Sequence, residues 1–234
     1  MTRALLLFAR SPEAEARSKG LPLRSGAALF RRIAHLWRET AKAADATLFI
    51  STDVAGWTVS VPGAVVLQQR EAPFGIRLAD SVEQVFSGGA TALIVAGIDT
   101  PPPPSTLEEA FLHLERDLEA AVIGPASDGG IYLLGFTCAH RALLEGIKPR
   151  QIDVVEHCRR FFEAKELLLL PMASDLDSLR DARRLSRRSE TLWIAFHPFL
   201  TAILGRGPLA PDLPIPCAVQ GRTLGSRAPP FSAL

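Results

Sequence analysis

Gly124-Pro125-Ala126-Ser127-Asp128-Gly129-Gly130 lies between two apolar runs, Ala120 to Ile123 and Ile131-Tyr132-Leu133-Leu134-Gly135-Phe136. The pattern reads as strand, tight turn, strand. Adjacent glycines let the backbone take φ > 0 and let another molecule approach closely. A lone carboxylate on such a turn, at the lip of a buried sheet, is placed to hold a metal ion or position a substrate hydroxyl. An ordinary Asp-Gly turn accounts for the same residues. A second acidic turn upstream favours the functional reading, because Ile94-Val95-Ala96-Gly97-Ile98 ends in Asp99-Thr100-Pro101. Two buried strands that each deliver an aspartate to a loop imply one shared site.

Residues 4–9 form a continuous apolar run, as expected of a central parallel strand covered on both faces. Further strands are expected over residues 46–51, from about residue 64, over 91–98 and over 166–170. A helix capped by Ser25 is expected through residue 43, with Leu29, Ile33, Leu36 and Trp37 facing inward. Another covers 75–86, with Leu78, Val82 and Val85 on one side, and Ser105-Thr106-Leu107-Glu108 is a capping box for a third, to about 119. Short helices fit 139–145 and 151–164, and Ser178-Leu179-Arg180-Asp181 opens one to about 188. Residues 10–24 read as a polar loop, and 192–204 as an apolar-faced helix broken at Pro198. Alternating strands and helices imply an α/β three-layer sandwich with a mostly parallel central sheet. The expected division is one domain over 1–188, then a C-terminal helix and Pro/Gly-rich tail over 189–234. Ligands of such sheets bind beyond the carboxyl ends of the strands. Asp53, Asp99 and Asp128 all adjoin strand ends.

Bulk properties exclude several classes. With 47% hydrophobic and 22% charged residues the chain is a soluble globular protein, and a net charge of +1 gives no case for nucleic acid or an anionic membrane. The amino-terminal apolar stretch stops at Arg10, too short for a signal peptide, and residues 192–204 are too few to span a bilayer. Cys138, Cys158 and Cys217 are widely spaced with no CxxC, which fits a reducing cytoplasm. There is no GxGxxG after the first strand, no GxxxxGK[ST], no GxSxG and no HExxH. What remains is a set of carboxylates. Their hard oxygens suit Mg²⁺ or Mn²⁺, which bridge to substrate phosphates. A metal held by Asp99, with Asp128 as second ligand or acceptor-orienting base, would neutralise a diphosphate leaving group in sugar or nucleotidyl transfer. Arg77, one turn into a helix after Gly75, is either a phosphate contact or a solvated helix residue. Asp175 and Asp177 precede a helix, and capping explains them adequately, with a place in the site as the second reading. Asp53 reads as a turn former, with a place in the site as the second reading.

The series Leu5-Leu6-Leu7-Phe8-Ala9-Arg10-Ser11-Pro12, Phe74-Gly75-Ile76-Arg77-Leu78, Gly97-Ile98-Asp99-Thr100-Pro101, Gly124 to Gly130 with Tyr132-Leu133-Leu134-Gly135, and Asp175-Leu176-Asp177-Ser178-Leu179 resembles a bacterial family. These are the glycosyltransferase-like proteins of unknown function often labelled transferase 1 associated with radical-SAM and selenodomain proteins. The resemblance runs in order over roughly residues 4–185. It implies a GT-A type nucleotide-diphospho-sugar transferase fold, similar in plan to the molybdenum-cofactor and phospholactate guanylyltransferases. It also implies a nucleotide or nucleotide-sugar ligand, with Asp99 and Asp128 at a divalent metal. Arg10, Lys19, Arg77, Gly129 and Gly130 are the implied nucleotide-binding residues. In the family the loop after the first strand carries Lys-Thr-Arg-Leu, where this chain has Ser18-Lys19-Gly20-Leu21, with Glu13 and Glu15 adding negative charge. The family's Trp-Ser-Thr stretch is replaced by Lys148-Pro149-Arg150. Three readings follow: a metal-dependent glycosyltransferase-like enzyme, a degenerate domain that binds a nucleotide or protein without turnover, and a small-molecule nucleotidyltransferase.

Overall fold

Arg3–Phe8 (β1), Thr47–Thr52 (β2), Val65–Gln68 (β3), Ala92–Ala96 (β4), Ala121–Pro125 (β5), Ile131–Phe136 (β6) and Leu167–Leu169 (β7) form one sheet in the order β3-β2-β1-β4-β6-β5-β7. A computed structural model describes residues 1–54, 56–57, 61–103, 105–148, 153–162, 166–187 and 191–208. β1 pairs in parallel with β2 and β4, β2 with β3, and β5 with β7, whereas β6 runs antiparallel to both β4 and β5. The sheet is therefore mostly parallel, as the apolar runs required. Side chains alternate across it with the two-residue period of a strand. Leu5 and Leu7 enter one core cluster, Ala4 and Leu6 the other; Ile94 and Ala96 face the first, Leu93 and Val95 the second.

Helices cover both faces. Pro12–Ser18 (α1), Leu23–Ala43 (α2), Thr106–Leu114 (α4), Leu179–Leu185 (α7), Thr191–Ile194 (α8) and His197–Ile203 (α9) supply the first cluster. Phe74–Ser87 (α3), Arg141–Gly146 (α5) and Val154–Phe161 (α6) supply the second. On α2, Leu29, Ile33 and Trp37 point inward as their spacing requires, with partly buried Leu36 packed against the same cluster. Trp193, Phe196, Phe199, Leu200 and Ile203 join that same cluster, so the C-terminal apolar residues are core. No helix among the described residues is long and apolar enough to cross a membrane.

Several local expectations are corrected. The stretch read as a polar loop contains α1, whose start signals are complete: the Ser11 hydroxyl accepts from the Ala14 amide at 3.3 Å, Pro12 opens the helix, and Glu13 and Glu15 lie in its first turn. Ser25 is not a cap. The helix begins two residues earlier behind Pro22, and Ser25 is buried within its first turn. Ser105 occupies the N-cap position of α4 but has φ +62° and makes no side-chain cap. A hydroxyl cap needs an extended backbone, and the left-handed entry after the proline run carries the side chain away from the first-turn amides. The apolar C-terminal stretch is interrupted as expected, but at residues 195–196 between α8 and α9, with Pro198 in the first turn of α9. Residues 149–152, 163–165 and 209–234 lie outside the described residues, and with them Pro149, Arg150, Cys217 and the Pro/Gly-rich tail from residue 209 onward.

Candidate active site

Three loops at the carboxyl edge of the sheet are laced together by backbone hydrogen bonds. Leu176 N–H donates to the carbonyl of Asp99 at 3.1 Å, joining the loop after β4 to the segment before α7. Ser127 N–H donates to Ala173 O at 3.0 Å, and Ala173 N–H to Pro125 O at 3.0 Å, joining that segment to the β5–β6 hairpin. Two buried tryptophans brace the lacing from below. The Trp37 indole donates to Thr100 O at 3.0 Å, and the Trp193 indole to Ser174 O at 2.9 Å.

This lacing gathers the aspartates. Asp128, Asp175 and Asp177 each offer a carboxylate oxygen, and the three oxygens lie within 4.8 Å of one another. Asp128 is held by its own turn: Gly130 N–H donates to its Oδ1 at 2.8 Å, and Gly129 takes φ +93°, which a residue with a Cβ rarely adopts. Asp175 is only 8% exposed. Burial, then the negative charges of Asp177, Asp128 and Asp99, push its carboxyl up to about 7. Asp99 completes the group differently. Its Oδ2 accepts from Lys19 Nζ at 3.2 Å, and the same ammonium also bonds Asp177. The Lys19 side chain is only 8% exposed. Burial opposes its charge, but Asp99, Asp177 and Glu15 outweigh that and hold it above the usual lysine value. Gly97 makes room here, since a Cβ on it would sit 2.7 Å from Asp99 Oδ1.

The other half of the edge, over β1 to β3, is basic. Arg77 Nε donates to Ala72 O at 3.0 Å, its Nη1 bonds Gln69, and its guanidinium lies 5.7 Å from the centre of the Phe8 ring. Burial and the charge of Arg10 lower the Arg77 pKa, while Asp53 opposes them. Arg10 is exposed at the end of β1. Asp53 serves the loop between them: its Oδ1 accepts from Ser11 N–H at 2.9 Å and from the Thr52 hydroxyl at 3.2 Å. Tyr132 points into the core, its hydroxyl donating to Pro171 O at 3.2 Å and its pKa raised by burial to about 12.

The residues expected at the site thus fall into two groups. On the acidic side Lys19 joins Asp99 to Asp177, and Asp128 lies with Asp175 and Asp177, so Asp99, expected as the first metal ligand, is not one of the oxygen trio. Gly129 and Gly130 shape the turn of Asp128, while Arg10 and Arg77 stand on the basic side. Asp175 and Asp177 are more central than capping allows. The cap of α7 is Ser178, whose hydroxyl accepts from Asp181 N–H at 3.2 Å. That signal stood in the sequence: Ser178 with Asp181 three residues on fills the cap and leaves two aspartates surplus.

Residues 32–149, just over half of the chain, match the model of a family described as an uncharacterized protein conserved in bacteria (DUF2064). The chain belongs to this family. No curated protein matches it. Among solved structures, this DUF2064 member is similar to a provisionally described nucleotide-diphospho-sugar transferase from Desulfovibrio desulfuricans G20. The TM-score is 0.67 at 22% identity, covering 89% of this chain and 100% of the other. A provisionally described glucose-1-phosphate thymidylyltransferase from Bacillus anthracis, in complex with sucrose, aligns with a TM-score of 0.53 at 12% identity, over 78% and 93% of the two chains. CMP:2-keto-3-deoxy-manno-octonic acid synthetase complexed with CTP gives 0.50 at 13% identity, over 79% and 97%. At these identities the likeness establishes a shared fold for the DUF2064 chain, that of nucleotide-sugar transferases and nucleotidyltransferases.

Proposed function

We propose that this protein is a cytoplasmic, metal-dependent transferase using a nucleotide-diphospho-sugar donor. One observation carries the reading: four carboxylates from three loops crowd the carboxyl edge of the sheet beside an arginine-bearing shoulder. The donor set fits a hard divalent ion, Mg²⁺ or Mn²⁺, because it offers only oxygens, carries surplus negative charge, and leaves Asp128 and Asp177 open to solvent. Asp128, Asp175 and Asp177 would hold the ion, with Asp99 adding negative charge behind them. When bound, such an ion neutralises charge that develops on a departing diphosphate. Arg10 and Arg77 are suited to the nucleotide phosphates, Arg77 being pre-oriented by Ala72 and Gln69. Asp128, fixed by its turn, is the group suited to orient an acceptor hydroxyl and take its proton. Free Cys138 and Cys158 agree with a reducing compartment.

Thermal melting with a panel of nucleotides and nucleotide sugars, with and without Mn²⁺, tests this. A ligand at a hundredfold excess over its Kd stabilises the fold by about 2.7 kcal/mol. A metal-linked shift with a nucleoside diphosphate or its sugar supports the reading, and no shift with any nucleotide defeats it. A second reading, a domain that binds without turnover, is favoured by Lys19 lying between Asp99 and Asp177 and by the altered Ser18-Lys19-Gly20-Leu21 loop. It requires binding with no donor hydrolysis or transfer. Release of pyrophosphate from a nucleoside triphosphate would point instead to a nucleotidyltransferase.

A further inference from the structure

Lys19 reaches the acidic pocket from another layer of the fold. It is the C-cap residue of α1, its N–H bonded to Glu15 O at 3.1 Å, and Gly20 with φ +63° follows directly. α1 itself is fixed by Ala16, fully buried beneath α2. From there the ammonium bridges Asp99, on the loop after β4, and Asp177, on the segment before α7. Asp177 belongs to the oxygen trio with Asp128 and Asp175. A carboxylate oxygen engaged by an ammonium is a poorer metal ligand, and a unit positive charge beside the trio repels an incoming dication.

We infer that Lys19 is a resident cation of the acidic pocket, competing with divalent metal for Asp177 and anchored in that role by Asp99. This rests on the reading that the trio binds a divalent ion. Lys19 thereby holds down the affinity for free metal while leaving Asp128 and Asp175 available. The pocket keeps part of its charge balanced when no metal is present.

The test titrates Mn²⁺ alone into the full chain, following free Mn²⁺ by electron paramagnetic resonance and the melting temperature in parallel. Lys19→Met should bind Mn²⁺ at least about tenfold more tightly than wild type. Arg17→Gln removes the same charge from an exposed position of the same helix and should leave the affinity unchanged. If Lys19→Met does not melt cooperatively, Lys19→Gln, which retains a hydrogen-bond donor, replaces it with the same expected direction. Equal or weaker Mn²⁺ binding by the folded Lys19 variant, with wild type binding, overturns the inference and leaves the metal reading standing. An equal gain from Arg17→Gln overturns it too, since the effect would be one of net charge. No Mn²⁺ binding by any variant overturns the metal reading and this inference together.

Discussion

The indole of Trp37 and the carbonyl of Thr100, sixty-three residues apart, meet at 3.0 Å in the buried interior, so helix α2 directly supports the loop that carries Asp99. Trp37→Phe keeps an aromatic ring but leaves that carbonyl unpaired. An unsatisfied buried acceptor costs about 1–3 kcal/mol, to which lost packing adds. Urea denaturation should show at least that loss, and the Mn²⁺-linked melting shift should shrink because Asp99 is the adjacent residue. A full shift at reduced stability would mean that the Leu176 hydrogen bond alone fixes the loop.

Asp175→Asn should separate stability from function. Asp175 is buried among three other carboxylates, a placement that costs free energy in the absence of a counter-ion. In metal-free buffer at neutral pH the variant should be more stable than wild type by about 1–3 kcal/mol. It should also lose most of the stabilisation by Mn²⁺. Calorimetry with and without metal checks both halves.

Arg10 is exposed and Arg77 is tied to its surroundings, so Arg10 is the cleaner probe of phosphate binding. Arg10→Gln should leave the melting temperature of the free protein unchanged. Its affinity for a nucleoside diphosphate should fall roughly ten- to hundredfold, as expected for one charge-assisted hydrogen bond. Isothermal titration gives the number, and an unchanged affinity would move the phosphates elsewhere on the edge.

Gly129→Ala strains the turn that presents Asp128. At φ +93° a Cβ is disfavoured, and the expected loss is about 1–2 kcal/mol in chemical denaturation. Displacement of Asp128 should weaken Mn²⁺ binding at the same time.

Cys158 should be chemically silent in the folded protein. It is fully buried in the second core cluster, and burial pushes its thiol up to about 12. Iodoacetamide at pH 8 should label exposed Cys138 and spare Cys158 until the chain is unfolded. The folded-state value exceeds the unfolded one. The group's contribution is therefore intact below about pH 9 and is lost as pH climbs towards 12. Cys158→Ala should remove that part of the alkaline slope, whatever it costs at neutral pH.

The sheet is legible because its central strands are buried on both faces and so read as unbroken apolar runs, as in Leu5-Leu6-Leu7 and Leu93-Ile94-Val95, whereas the edge strands β3 and β7 are partly exposed. Asp99 and Asp128 were visible because each stands on a turn directly beyond such a run. Lacing is what linear reading lacks. Nothing in the spacing of Asp175 and Asp177 shows that Leu176 N–H bonds to Asp99 O, or that Ala173 bonds to the hairpin. The two tryptophan braces are equally non-local, Trp193 coming from a segment that reads as a separate appendage. α1 is illegible for a different reason. Its seven residues carry charges on the exposed face and bury only Pro12 and Ala16, so no apolar period announces them.

Reversal of β6 has a further outcome for how the cleft can diversify. Because that strand runs against its neighbours, β5 and β6 join through residues 126–130 at the carboxyl edge, where a parallel pair would need a crossover helix. One flank is consequently a stiff hairpin tip bolted to residue 173, whereas the opposite flank is the long excursion through α1. The α1 flank can be lengthened or shortened without disturbing a single strand pairing, whereas the hairpin tip cannot. Within that flank Ala16 and Leu21 are held in the core and Lys19 by two carboxylates, so the freedom is confined to the exposed residues such as Arg17 and Ser18.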